Sequence, residues 1–511
     1  MKGTVGRTPK ERVLDEGFRR EGPLAPRTFD SCAWSHRAAG REDLSRHCAW
    51  MFRPLALLVT VILAACTVGP NYHKPAVAVP DQFYGASGAS AASIADQRWW
   101  DVFRDPTLRS LIDEALKNGY DVRIAAARVE EARARYGIAG AARVPAVGYG
   151  ASVDRGHTST YANPSDVTGS LIIANVNVSW EADLWGRIRR LDEAARAQYL
   201  ATEEGRRGVI LSLVSEVASA YFDLRELDEE LDIARRTRAS FQDTYDLFHR
   251  QLVGGTASAL ETSRAEAALA NESGQIPFLE QQIAAKENQL NFLLGRMPGP
   301  IPRGASLGDQ PVPPDVPAGL PASLLLRRPD VRQSEELLIA ANANIGVAEA
   351  AFYPTLSLTG VLGGQSPELS TLLNSGRAWT IGASLLGPIF QGGRLRAQKQ
   401  VALAQFEEAK LAYEQDVTNA LGEASTSIVA LQKFGEEEQQ RARAVAADRE
   451  AVRLATLRYE SGLSAYFEVL DAMQQLLSAE NELARTRRDR LVALTQLYRA
   501  LGGGWNQQGA R

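Results

Sequence analysis

Cysteine is nearly absent from this chain: Cys32 and Cys48 fall in an Arg-rich, aperiodic N-terminal stretch, and beyond them stands Cys66 alone. No disulfide is therefore possible within one copy of the processed chain. The five histidines, His36, His47, His73, His157 and His249, are scattered without ligand spacing and read as surface residues. No glycine loop ends in Lys-Ser or Lys-Thr, no His-Glu-x-x-His occurs, and there is no nucleophile elbow. The expectation is a protein that is not an enzyme and that holds no metal or cofactor. A net charge of -4 supplies no basic field, which excludes nucleic acid as a partner. Long apolar runs are missing too, and Leu55 to Leu63 is too short to span a bilayer as a helix.

What is present is one unit written twice. Asp121-Val122-Arg123 returns as Asp330-Val331-Arg332, and the same shift of 209 residues carries Gly137 onto Gly346 and Pro145 onto Pro354. Further on, Gly186-Arg187-Ile188-Arg189 returns as Gly393-Arg394-Leu395-Arg396, Gly254 pairs with Gly462, and Leu290 to Gly295 returns as Leu497 to Gly502. A period near 200 residues means duplication of a half-structure rather than a solenoid. The halves run over 105–296 and 323–504, joined by a linker at 297–322 and followed by a tail at 505–511. Met297 to Pro321 contains eight prolines, so no long helix forms there.

The N-terminus carries an address. Met51-Phe52-Arg53, the apolar run and Ala64-Ala65 make 51–65 a signal peptide, with 1–50 a misassigned upstream extension and 66–104 an extended segment. Leu63-Ala64-Ala65-Cys66 resembles a lipobox. That resemblance implies that Cys66 is the lipid-modified first residue of the processed chain, and that Thr67 in place of Asp leaves it free to go to the outer membrane. The alternative is a plain secretory signal with Cys66 incidental.

Four segments, at about 144–154, 171–181, 354–363 and 378–387, alternate with period two. Val147, Tyr149, Ala151 and Val153 oppose Gly148, Gly150 and Ser152, and Val176, Val178 and Trp180 oppose Asn175, Asn177 and Ser179. Runs of about ten residues with aromatic ends suit tilted strands in a membrane. Four such strands do not close a barrel alone, and an open edge in lipid leaves backbone groups unpaired, so several chains must share one barrel. Soluble hairpins with one wet face fit the same periodicity.

After each strand pair comes a heptad stretch. Leu213, Val217, Ala220, Leu224, Leu227, Leu231 and Ala234 mark the first, broken only by Arg238; Tyr413, Val417, Ala420, Ala424, Ile428 and Leu431 mark the second, with Lys410 the exception. Gly186 to Val253 lacks proline and predicts a rod of roughly 100 Å. Each rod ends in a glycine turn and returns as a shorter helix, giving hairpins over 186–295 and 393–502. Gly254, Gly255, Gly462, Leu463 and Ser464 lie at the turns and are the candidate docking tips for a partner, because an exposed Leu463 has no other purpose there.

The linker end Gly319-Leu320-Pro321 to Val331, the Phe352-Tyr353-Pro354 strand entry, Val68-Gly69-Pro70-Asn71-Tyr72 and the Tyr459-to-Asp471 turn together resemble the TolC-like outer-membrane efflux lipoproteins. The resemblance runs from Met51 to Gly504. It implies an α+β membrane protein, a homotrimer whose twelve strands form one outer-membrane β-barrel above a long α-helical barrel. It also implies a periplasmic adaptor, an inner-membrane resistance-nodulation-division pump, and a passive exit duct for drugs, solvents or metal ions. Phe467 and Asp471 match the family's apolar and carboxylate gate rings; three carboxylates near an axis repel and screen entering ions, and three aromatic rings close a pore by dewetting. Left open are Phe467 as a seam residue and Asp471 as a solvated one. Two other functions also remain open, a duct for one-step (type I) protein secretion and a periplasmic coiled-coil scaffold with no pore.

Overall fold

A computed structural model describes residues 67–86, 93–97, 99–158, 167–256, 258–310, 319 and 321–503. Two helices, α1 (Pro106–Asn118) and α2 (Tyr120–Ala141), lead into strands β1 (Ala146–Thr158) and β2 (Val167–Ala182). A rod, α3 (Arg187–Val253), and its return, α4 (Ala259–Leu293), complete the first half. The second half repeats the order as α5 (Pro321–Arg327), α6 (Pro329–Ala350), β3 (Thr355–Ser366), β4 (Arg377–Leu386), α7 (Arg394–Glu460) and α8 (Phe467–Ala500). Both rods have 67 residues, about 100 Å at 1.5 Å per residue.

Local chemistry sets the ends of these elements. Asp105 caps α1, accepting from the amides of Thr107 (2.8 Å) and Leu108 (3.2 Å) ahead of Pro106 in the first turn. Gly186 and Gly393 precede the two rods with φ of 78° and 85°, a backbone region open to glycine. Ser258 and Glu261 form a reciprocal capping box on α4.

The rods are held along one stripe. Val217, Leu224, Tyr413, Val417, Ala420 and Ala424 are fully buried, and alanines at seam positions bring the helices close. The main core gathers where α1, α3, α4, α6, α7 and α8 converge, with Phe83 and Ile94 of the N-terminal segment packed into it. Above it residues 67–74 form a strap along α3 and α6. Arg190, buried in α3, donates to the carbonyls of Val68 (3.3 Å) and Gly69 (3.1 Å) and to Asn71 (2.9 Å), while Asn342 of α6 donates to the Pro70 carbonyl at 3.0 Å. A Cβ on Gly69 would meet the Gly346 backbone at 2.4 Å, and one on Gly346 would meet Arg190 and the Val68 carbonyl at 2.9 Å.

The strands make one antiparallel sheet in the order β1-β2-β3-β4, with the outer edges of β1 and β4 unpaired among the described residues. The first three run longer than the alternation predicts and β4 matches it: Arg155 pairs with Ser170 and Gly156 with Gly169, so the β1–β2 hairpin continues past Val153 into polar residues. Backbone pairing needs no apolar face once the chain has left the apolar band. Toward the same end of the sheet, Gly363, paired with Asn175, has no room for a side chain, since a Cβ there meets the backbone of Ala174 and Asn175.

Candidate functional site

The register gives the sheet two faces of opposite character. On one, Val147, Val178, Gly360 and Ile381 stand in a row, followed by Tyr149, Val176, Leu362 and Trp379. On the other, Gly148, Asn177, Val361 and Thr380 form one row and Ala146, Ser179, Thr359 and Gly382 the next. Residues that are far apart in sequence thus sort onto one apolar and one mainly polar surface. The apolar side is not covered by the chain, and Val147, Tyr149, Trp379 and Ile381 are all exposed. An apolar face with aromatic rows, backed by a polar face, is the arrangement of a membrane strand beside an aqueous lumen.

At the far end, each rod closes with the same turn. Gly255 and Gly462 have φ of 72° and 69°, and Thr256 and Leu463 donate back to the carbonyls of Gln251 (2.8 Å) and Arg458 (2.9 Å). Gly462 therefore corresponds to Gly255, and Gly254, with φ of -77°, corresponds to Ser461. This corrects the sequence pairing of Gly254 with Gly462 by one residue, because the turn requires glycine only where φ is positive. Leu463, the counterpart of Thr256, is 70% exposed, and the Ser464 hydroxyl is buried without a partner among the described residues. Substituting Gly462 with Ala is expected to destabilise the tip by about 1 kcal/mol, from the left-handed conformation alone, since a Cβ there meets open space. Hydrogen exchange of the tip amides, compared with that of Gly254→Ala, measures the difference.

Phe467 opens α8 and is 59% exposed, so it is no seam residue within this chain; the Arg264 guanidinium carbon lies 5.7 Å from its ring centroid. Asp471 follows one turn later on the same face, is exposed, and accepts from Gln475 at 2.7 Å. Cys66 lies outside the described residues. Its neighbour Thr67 touches Gly186 at the junction of β2 and α3, and Val68 donates to the Trp185 carbonyl at 3.0 Å.

Two features escaped the reading of the sequence. Beside the tips, Tyr466 stands edge-on to Phe248 (4.7 Å) and Tyr459 (5.1 Å), and its hydroxyl meets that of Thr244 at 2.6 Å. This cluster ties α3 to the α7–α8 hairpin, with each aromatic pair adding about 0.5–1.5 kcal/mol beyond its area. Further up α8, Arg485, Arg487 and Arg488 face Glu230 (2.9 Å), Glu229 (3.4 Å) and Asp223 (3.3 Å) of α3, and Arg490 faces Glu438 of α7 (2.7 Å). Burial pushes the Glu226 carboxyl up to about 7 against the downward pull of Arg488. The signal for this belt was the run of arginines at 485–490, matched by acids at helical spacing on α3. Among the described residues, no cluster of three or more His, Cys, Asp or Glu could hold a metal, and no helix is long and apolar enough to cross a membrane.

Residues 111–296 and 320–503 match the family described as outer membrane efflux protein. The solvent efflux pump outer membrane protein SrpC of Pseudomonas putida is 35% identical over 465 residues, covering 89% of this chain and 99% of its own. The cation efflux system protein CusC of Escherichia coli is 34% identical over 458 residues, again covering 89% and 99%. Among solved structures, the open state of the Neisseria gonorrhoeae MtrE outer membrane channel superposes with a TM-score of 0.78 at 32% identity, covering 86% of this chain and 98% of that one. Two duplicated halves, each with a strand pair on a 67-residue rod, and matches spanning nearly all of both chains place this protein in the outer membrane efflux protein family.

Proposed function

We propose that the chain is the outer-membrane channel component of a tripartite efflux pump, a passive duct that carries small toxic compounds from periplasm to exterior. The observation that carries this reading is the sheet: one apolar face, one polar face and two unpaired edges, continuous with rods about 100 Å long. Edges that have no partner in one chain need further copies, and three copies give the twelve strands expected of the homotrimer. The duct performs no covalent chemistry and takes its energy from an inner-membrane resistance-nodulation-division pump joined through a periplasmic adaptor. A relative named for solvent efflux and another named for cation efflux support a cargo of small toxic solutes rather than secreted protein.

Lipid attachment at Cys66 belongs to the same proposal. The strap brings Thr67 to the root of β2, where an acyl chain on the preceding residue reaches the inner leaflet of the outer membrane. The tips carrying Gly254, Gly255, Gly462, Leu463 and Ser464 are the proposed adaptor contacts, with exposed Leu463 the apolar anchor. Phe467 and Asp471 are the proposed gate, one turn apart at the start of α8.

Planar-bilayer conductance of the purified protein tests this function. The unmodified protein is expected to show a small closed-state leak, and both Phe467→Ala and Asp471→Ala to raise it. An unchanged leak in both variants removes these residues from the gate, and absence of any channel activity removes the duct.

A further inference from the structure

The duplication locates a second joint from the first. Inside the chain, β2 and α3 of one half pack against α6 and β3 of the other, burying Ala194, Ala197 and Ala201 of α3. Their counterparts 207 residues on, Val401, Ala404 and Glu408 of α7, are exposed: Val401 is 56% exposed where Ala194 is 4%. The receiving face behaves alike. Ala340, Ala343 and Ala350 of α6 are buried, whereas Glu131, Ala134 and Ala141 of α2, 209 residues earlier, are exposed. Together with the open edges of β4 and β1, these are the two faces that a second copy of this chain satisfies.

The two joints differ in how they are fastened. Inside the chain, Trp185 stacks on Tyr353 at 4.6 Å and donates its indole N–H to the Pro354 carbonyl at 2.7 Å. The counterparts of Trp185 and Tyr353 are Gly392 and Val144, so the outer joint lacks that tether. It lacks the strap as well. A Cβ on Gly186 would meet Thr67 and one on Gly346 would meet Arg190 and the Val68 carbonyl, whereas their counterparts Gly393 and Gly137 have nothing within 4 Å among the described residues, because one chain supplies one strap for two joints. What stands there instead is Ile389, 103% exposed, and Phe390, 88% exposed, on the rim of a cleft of about 270 Å³ that also includes Phe352 and Leu395.

In the shared barrel of the proposed function, α7 and β4 of one copy meet α2 and β1 of the next; we infer that Ile389 and Phe390 fasten this joint by seating on the Val144–Pro145 corner of that next copy. Two bulky apolar side chains at the foot of a strand are left uncovered by the described residues, and Val144 is itself exposed. The inference rests on the multi-copy reading of the function and adds the residues that make the contact.

Cysteine pairs test it in the full-length protein, with Val144→Cys combined with Phe390→Cys and, separately, with Ile389→Cys. Disulfide geometry requires Cα atoms within about 7 Å, so a bond reports direct seating. Oxidation of at least one pair is expected to convert the single-chain band into covalent multimers that reduction reverses, while each single cysteine leaves it unchanged. Light scattering of the same detergent samples separates the two possible failures. A multi-chain mass without crosslinks in either pair overturns the Val144–Phe390 joint, as when Phe390 lies in lipid, and leaves the duct standing. A single-chain mass for the unmodified protein overturns the multi-copy reading and this inference with it.

Discussion

Ile381→Lys is expected to abolish the heat-modifiable assembled band on unheated gels, while Thr380→Lys, one residue away, leaves that band in place. The two side chains leave β4 on opposite sides. Ile381 pairs with Gly360 in the apolar row of Val147 and Val178, and Thr380 pairs with Val361 in the row of Asn177 and Gly148. A lysine at mid-depth on the lipid side of a barrel costs about 2–4 kcal/mol, repeated in each copy. That is a large share of the roughly 5–15 kcal/mol that folded proteins have in hand. On the lumen side the same lysine stays hydrated, and its effect is a shift of ion selectivity toward anions. Equal tolerance of both variants would falsify the assignment of faces.

The second large effect lies far from the pore. Asp105 is buried, and beyond capping α1 it accepts from the Tyr221 hydroxyl at 2.9 Å and the Gln310 amide at 2.7 Å. It thereby joins the start of the first half, the middle of α3 and the linker. Asp105→Ala removes a cap worth about 1 kcal/mol. It also leaves the buried Tyr221 hydroxyl without an acceptor, at about 1–3 kcal/mol more, while the Gln310 amide keeps the Ala305 carbonyl at 3.2 Å. Tyr221→Phe, which keeps the cap, should lose less. Burial alone would raise the Asp105 carboxyl, but the bonds from Gln310, Tyr221 and the Leu108 and Thr107 amides outweigh it and hold it below its ordinary 3.8. A depressed carboxylate stabilises fully above its unfolded value and loses that contribution as pH falls through the folded one. The stability gap between the unmodified protein and Asp105→Ala should therefore be constant from pH 5 to 8 and narrow below about 4. A gap that widens in acid would refute the role of the charged form.

How much of this could be read in advance depends on whether spacing or distance decides. The strands and rods were legible because burial repeats at two or at three-and-four along the chain, and Val147 or Leu224 reveals its side without reference to anything remote. The register that lines Tyr149 up with Trp379 was not legible, since it depends on pairings across 230 residues. The strap has no period at all. Residues 67–74 are held by Arg190 and Asn342, and nothing in their own order announces those donors. The turn register failed for a different reason: with Gly254 and Gly255 adjacent, composition does not say which one takes the positive φ. Tyr466 stayed hidden behind Phe467, its more conspicuous neighbour. Burial shows the first joined to Thr244 and the second facing outward.

The equal length of α3 and α7 constrains how this protein can vary. One residue added to either rod lifts its tip by about 1.5 Å and swings it by roughly 100°, so a partner gripping both ends would meet one foot raised and turned away. Whole-heptad changes preserve the seam, yet they still leave the two legs uneven unless both halves change together. Lineages of this duplicated chain should therefore lengthen or shorten in matched steps, and a lone insertion within one rod marks a variant that has parted from its partner.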